Sequence, residues 1–253
     1  MDKLTSLGFQ SSSIDECVFY KDDVIFIVYV DDGIFVGPDD AKITSLIKQL
    51  GQAGLDVEDQ GDPADYVGVA IKRSSDGNIH LNQRALIDNI IADCNLSGVY
   101  TKPVPAKSSQ ILHHFHNSPD FDLKFGYRSI IGKLKYLAQT NRPDIMYAVH
   151  QIAKYSSFPK HEHGETIVYL VWYLMRTRDL GLKFKPDPSK GFENYCDADF
   201  SGNWLRSDAE YDPSTAKSWS GWITFYAGCP IIWASKLQTQ VALSTTEAEY
   251  IAL

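Results

Sequence analysis

Asp31 and Asp32 stand side by side after the apolar run Val24 to Val30 and before Gly33, with apolar residues resuming at Ile34. In a straight strand adjacent aspartates point to opposite faces, but at a hairpin tip the backbone turns and both carboxylates can approach one region. Such a pair suits a hard divalent cation such as Mg²⁺, which neutralises phosphate charge and activates an attacking hydroxyl in two-metal chemistry. Asp-Asp-Gly is also a good exposed turn, and on those three residues alone the turn is the better reading.

A second acidic set lies near the other end. In Asn194 to Phe200, period-two alternation puts Tyr195, Asp197 and Asp199 on one face and Cys196, Ala198 and Phe200 on the other. Two carboxylates on one face of a mostly apolar strand need a partner: a metal, an arginine or solvent at the strand end. Further on, Ser244-Thr245-Thr246-Glu247 has the spacing of a capping box, which would open a helix carrying Glu249 in its early turns. Glu247 and Glu249 would stand about 200° apart on that helix, so only one can face the strand that carries Asp197. Acids at a helix start are favoured by the macrodipole without any chemistry.

The elements that must position these residues can be read from periodicity. Val24 to Val36 reads as a β-hairpin with Asp-Gly supplying the tight turn. Ile43, Leu46, Ile47 and Leu50 make an amphipathic helix, with Asp39 or Asp40 as N-cap and Gly51 near its end. A second hairpin pairs Tyr66 to Lys72 with Ile79 to Leu81, and Leu86, Ile90 and Cys94 mark another helix. Pro103 to Asp122 has no periodicity and reads as a surface connection. Helical patterns resume at Tyr127 to Gln139, Pro143 to Tyr155 and about Glu162 to Arg178. After Pro186 the pattern becomes strands at Asn194 to Phe200, Ser220 to Ala227 and Ile231 to Ala234, then a helix near Ser244.

The 253 residues include 44% hydrophobic and 22% charged, ordinary globular material. No run of about 18 apolar residues occurs and the first residues lack the apolar core of a secretory signal, so the expectation is a soluble, intracellular chain with no membrane partner. Cys17, Cys94, Cys196 and Cys229 are scattered with no CxxC pair, and free thiols are expected. A net charge of -8 argues at face value against a polyanion partner, but it is unevenly spread. Residues 1–65 hold 4 Lys/Arg and 14 Asp/Glu, residues 66–190 hold 17 and 10, and residues 191–253 hold 3 and 8. A basic middle between acidic ends would suit a phosphate-tracking surface; uneven solvated charge accounts for it as well. His113, His114, His116, His161 and His163 lie in turn-like context without zinc spacing, and Trp219, Trp222 and Trp233 fit a core better than a stacking platform.

Tyr29-Val30-Asp31-Asp32 has the form of the YxDD motif of reverse transcriptases. With Leu7-Gly8-Phe9, Asp15 to Tyr20 and Tyr66-Val67-Gly68-Val69 around it, about the first hundred residues resemble copia-type retrotransposon reverse transcriptases. Tyr195-Cys196-Asp197-Ala198-Asp199, Ser220-Gly221-Trp222, Pro230 to Lys236 and Ala242 to Tyr250 resemble the ribonuclease H of the same elements. Gly132-Lys133-Leu134, Tyr136-Leu137 and Thr140 to Ile145 look like that family's linking region.

The resemblance implies an α+β chain in three parts: a reverse-transcriptase palm and thumb-like fragment (1–102), a helical connector (103–190) and the opening of a ribonuclease H-like domain (191–253). It implies copying of RNA into DNA with removal of the RNA strand, on RNA template, RNA/DNA hybrid and deoxynucleoside triphosphates, within a polyprotein bound for DNA integration. The parent element would work in a cytoplasmic particle or the nucleus. Asp31 and Asp32 become polymerase metal ligands, Tyr29 and Val30 lie near the primer end, and Asp197 and Glu249 become the first two ribonuclease ligands. Asp199 and Glu247 are neighbours. The cofactor would be Mg²⁺ in two-ion sites, with Mn²⁺ as substitute. A further polymerase aspartate is expected upstream of this chain and further ribonuclease ligands downstream, and Asp2, Asp15, Asp22 and Asp23 do not substitute. The isolated chain is therefore expected to be inactive; the alternative is a truncated, non-catalytic nucleic-acid-binding remnant. The polar stretch Leu205 to Lys217 is longer than the family's usual connection.

Overall fold

Val24, Phe26 and Val28 alternate with Ile25, Ile27 and Tyr29, and this β-branched and aromatic run forms an inner strand of an antiparallel sheet. The computed structural model describes residues 2–98, 100–107, 111–115 and 117–253 and divides into two units, Met1–Tyr66 and Val67–Leu253.

The first unit runs α1 (Asp2–Ser6), β1 (Gln10–Ser11), β2 (Val18–Lys21), β3 (Val24–Tyr29), β4 (Asp32–Val36), α2 (Asp40–Gln52) and β5 (Asp65–Tyr66). Strands β1 to β4 lie in chain order. Leu4, Phe9, Phe19, Val24, Phe26, Leu46 and Leu50 are buried together, so α1 and α2 pack against the sheet. Asp39 caps α2, its carboxylate accepting the Ala41 N–H at 2.9 Å. Asp22 and Asp23 are both held by Lys42.

The β3–β4 turn differs from the sequence expectation. Tyr29 pairs with Asp32, so the turn residues are Val30 and Asp31 rather than Asp-Gly, and Val30 sits at φ +56°. The cause is register: it sets Ile25 opposite Val36, Phe26 opposite Phe35 and Ile27 opposite Ile34. Gly33 lies inside β4, where a Cβ would come within 2.7 Å of the Phe26 ring.

In the second unit β6 (Val69–Arg73), β7 (Ile79–Asn82) and β8 (Leu182–Phe184) pair antiparallel. The sequence reading missed β8, which has three residues and finds its partner far along the chain. Its approach to β7 requires Gly181, since a Cβ there would lie 1.9 Å from the Leu81 carbonyl oxygen. Helices α3 (Arg84–Asp93), α4 (Tyr127–Thr140), α5 (Met146–Ala153) and α6 (His161–Arg176) bury Ile87, Ile90, Ile130, Leu134, Leu137, Ile152, Ile167 and Leu170 in one core. The stretch expected to be helical from Pro143 begins as a 3-10 turn, Pro143–Ile145. Beside it the buried Arg142 makes two hydrogen bonds of 2.8 Å to Asp144 and reaches the Thr177 carbonyl and hydroxyl, tying this turn to the end of α6.

The last segment folds as β9 (Phe192–Ala198), β10 (Trp219–Tyr226) and β11 (Cys229–Leu237), an antiparallel sheet with β10 in the middle, followed by α7 (Thr245–Ala252). Ser244 caps α7 by accepting the Glu247 N–H at 3.1 Å, while the Glu247 carboxylate reaches back to the Leu243 N–H at 2.7 Å. Helices with antiparallel sheets make the chain α+β. Among the described residues no helix is long and apolar enough to cross a membrane.

Candidate functional site

The hairpin puts Asp31 at its tip and Asp32 at the start of β4, both exposed, with Tyr29 57% and Val30 81% exposed beside them. A cleft of about 580 Å³ opens next to them within the first unit. Asp31, Asp32, Asp56, Glu58 and Lys3 supply its polar lining, and Phe26, Phe35 and Leu50 part of its apolar lining. Asp31 and Asp32 thus border the same cleft. Asp56 and Glu58 were not singled out in the sequence, because they lie in a stretch with no helical or strand period to give them a direction. Tyr66 is a second addition: its buried hydroxyl has no hydrogen-bond partner. Burial, with the charge of Asp32 next, raises its pKa.

The other acidic set lies in the second unit. Asp197 pairs with Gly221 and Asp199 follows the end of β9. Asp199 accepts the Trp219 N–H at 2.5 Å, and its pKa is raised by burial, the Trp219 and Gly202 N–H groups pulling it down and Asp197 adding to the rise. A groove of about 600 Å³ is lined by Asp197, Asp199, Tyr195, Trp219, Trp222, Trp233, Tyr147 and Asp144, among others. Trp219 is buried, edge-on to Tyr147, and the Trp233 indole N–H donates to the Ala138 carbonyl at 2.9 Å. Trp219 and Trp233 are packed structure that also walls the groove, and half-buried Trp222 lines it beside them.

Strand parity separates the two expected ribonuclease ligands. Gln238 donates to Ser220 Oγ at 2.9 Å and to the Ala248 carbonyl at 2.8 Å, so α7 covers the face that Ser220 shares with Ala198. Asp197 and its neighbour Gly221 belong to the other face, where Trp219 and Trp233 meet α5 and α4. The structure brings Asp197 together with Asp199; Glu249 is exposed on α7 and is not on the groove wall.

The donors are oxygen-only and of the right kind for a hard divalent cation. Among the described residues, however, no three His, Cys, Asp or Glu side chains are gathered closely enough to hold a metal ion. The histidines serve other ends. His163 is buried between the Lys160 N–H and the His113 carbonyl, and His161 pairs with Asp122. His113 and His114 face Asp208 and Asp212 at 3.8 Å, docking the polar stretch after Trp204. His116 lies outside the described residues. The four cysteines are free.

Residues 1–108 match the family described as reverse transcriptase (RNA-dependent DNA polymerase). Across 98% of its length the chain is 32% identical to the retrovirus-related Pol polyprotein from transposon RE1 of Arabidopsis thaliana. Across 94% it is 32% identical to that from transposon TNT 1-94 of Nicotiana tabacum. It spans only 16% and 18% of those two relatives. It is also 30% identical, over 98% of its length, to the putative transposon Ty5-1 protein of Saccharomyces cerevisiae, of which it covers 79%. No solved structure matches it. With a relative matched over most of its own length, the chain belongs to the family of retrovirus-related Pol polyproteins of copia-type transposons, in their reverse-transcriptase part.

Proposed function

We propose that the chain is a portion of an RNA-directed DNA polymerase and ribonuclease H, with residues 1–102 as palm and thumb-like fragment, 103–190 as connector and 191–253 as ribonuclease H-like fragment. The observation that carries the polymerase reading is the exposed Asp31-Asp32 pair on a hairpin tip, both lining one acidic cleft in the part that matches reverse transcriptases. Asp31 and Asp32 are the residues that would hold Mg²⁺ (or Mn²⁺), which when bound lowers the cost of the charge that develops on attacking and leaving oxygens. Tyr29 and Val30 lie at the tip, where they would meet the primer end. For RNA cleavage the groove supports Asp197 with Asp199, and the family resemblance adds Glu249. RNA template, RNA/DNA hybrid and deoxynucleoside triphosphates are the proposed substrates, and the rest of the polyprotein the proposed partner.

Two-metal catalysis needs enough anionic ligands to fix both ions, and among the described residues neither site brings three acids close enough together to hold even one. The 253-residue chain alone is therefore inactive in this reading, which also leaves room for a non-catalytic nucleic-acid-binding remnant. Primer extension and hybrid-strand cleavage, each with Mg²⁺ and with Mn²⁺, test it on the chain and on versions extended from the parent element. Activity should return on extension, with Asp32→Asn abolishing synthesis and Asp197→Asn or Glu249→Gln abolishing cleavage. An extended chain indifferent to all three substitutions would overturn the assignments, and an inactive one would favour the remnant.

A further inference from the structure

Helix α6 carries an outer stripe, Tyr169, Trp172 and Arg176, at i, i+3 and i+7. Tyr169 and Trp172 are only partly buried, and what covers them is cationic. The Lys102 ammonium lies 5.3 Å from the Tyr169 ring centroid and 5.5 Å from that of Trp172, and the Lys107 ammonium lies 5.5 Å from Tyr169. Tyr100, 74% exposed, is tilted against Trp172 at 5.8 Å. Neither lysine makes an ion pair among the described residues, whereas Lys133 and Lys160 are each neutralised by an aspartate at 2.6 Å. The acid on this stripe, Glu165, is 3.8 Å from His161, one turn back. The patch thus presents unneutralised positive charge over aromatic faces, in a chain whose overall charge is negative. None of its residues lines the groove that holds Asp197.

We propose that this patch of Tyr100, Lys102, Lys107, Tyr169 and Trp172 binds single-stranded nucleic acid: the flexible lysines leave the ring faces they cover to meet phosphates, and bases stack in their place. The occupant follows from charge and shape. Lysines poised over aromatic planes complement an unpaired strand, which offers a phosphate and a free π-face at every nucleotide. A duplex hides its base faces and would find only the lysines. The proposal rests on the polymerase reading for its biological sense, as the place where an unpaired template or displaced strand would be held, but its test is independent of catalysis.

The test is fluorescence anisotropy of a labelled oligothymidylate titrated with the 253-residue chain at several salt concentrations, with the matching duplex in parallel. Single strand should bind more tightly than duplex. Trp172→Ala should weaken it on the order of tenfold, consistent with about 1–3 kcal/mol per stacked base. Trp172→Phe, which keeps a stacking face and the helix packing, should restore most of that affinity. Lys102→Gln with Lys107→Gln should flatten the plot of log affinity against log salt by about 1.4, from about 0.7 per phosphate contact on a single strand. No binding at low salt, equal affinity for duplex, or indifference to both sets of substitutions would overturn the proposal. If the patch fails while Asp32→Asn still abolishes synthesis in the extended chain, the polymerase reading stands without it.

Discussion

Lowering the pH from about 7 to about 5 should destabilise the second unit through His163, with His150, also held below 6.5 by burial, adding in the same sense. Its Nδ1 accepts the Lys160 N–H at 2.9 Å, its Nε2 donates to the His113 carbonyl at 2.8 Å, and its ring stacks on Tyr155 at 4.1 Å. A proton on Nδ1 would set a donor against a donor in a fully buried site. Burial pushes the His163 pKa from 6.5 down to about 4, with the His113 carbonyl and Glu162 pulling the other way. The unfolded chain takes up that proton near 6.5 and the folded chain does not until about 4, so the unfolded state binds more protons between them. The contribution is intact above 6.5 and is lost as pH falls toward 4. The whole interval is worth about 3 kcal/mol, of which about 2 kcal/mol falls between pH 7 and pH 5. Carboxylates such as Asp120 and Asp187, lowered by Lys160 and Ser189 respectively, act only nearer the ordinary aspartate value of 3.8 and below. His161, raised by Asp122, works in the opposite sense, but it is exposed. The five tryptophans all lie after residue 66, so indole fluorescence during urea unfolding reports this unit alone. His163→Gln should be less stable than the parent at neutral pH, and the gap should shrink by about 2 kcal/mol at pH 5. Parallel pH profiles for the two proteins would refute the reasoning.

Other consequences are as direct. Arg142→Ala removes four hydrogen bonds from a side chain 1% exposed and leaves Asp144 without its cation, which should cost about 3 kcal/mol in the same unfolding assay. Val30→Gly should stabilise the first unit by about 1 kcal/mol, because glycine tolerates φ +56° and valine does not, as thermal unfolding followed by circular dichroism would show.

Where period and capping chemistry act locally, the sequence was legible. The α2 stripe, its Asp39 cap, the Ser244 cap of α7 and the strands around Asp197 all follow from spacings within a few residues. What escaped depends on distant partners: β8, defined by pairing to β7, and Asp56, Glu58 and Tyr66, placed beside Asp31 and Asp32 by the fold of the first unit. The same limit applies to Glu249. A capping box shows that a helix begins at Thr245, but which sheet face that helix covers was settled by Gln238, whose amide bridges Ser220 and Ala248.

The β3–β4 turn shows how packing overrides turn preference at a candidate site. A two-residue turn at Asp32-Gly33 would suit the backbone better, since Gly accepts positive φ freely. It would also move every pairing by four, setting Ile27 against Pro38, Phe26 against Asp39 and Ile25 against Asp40 in place of Ile34, Phe35 and Val36. Pro38 cannot donate to a ladder, and the two aspartates would face apolar partners on an otherwise apolar strand. The Phe26–Phe35 stack, with centroids 4.1 Å apart, would also be lost. Each aromatic pair is worth about 0.5–1.5 kcal/mol beyond its burial. With the two aliphatic pairs, at about 0.2–1 kcal/mol each, this matches the roughly 1–3 kcal/mol of strain at Val30, and the lost Pro38 donor and the misplaced aspartates tip the balance. The core therefore selects the strained turn, and in doing so raises Asp31 to the tip and starts β4 with Asp32. Gly33, freed from the turn, gives the Phe26 ring the space that the chosen register demands. The position of both carboxylates is thus a consequence of three apolar pairs in the strands behind them.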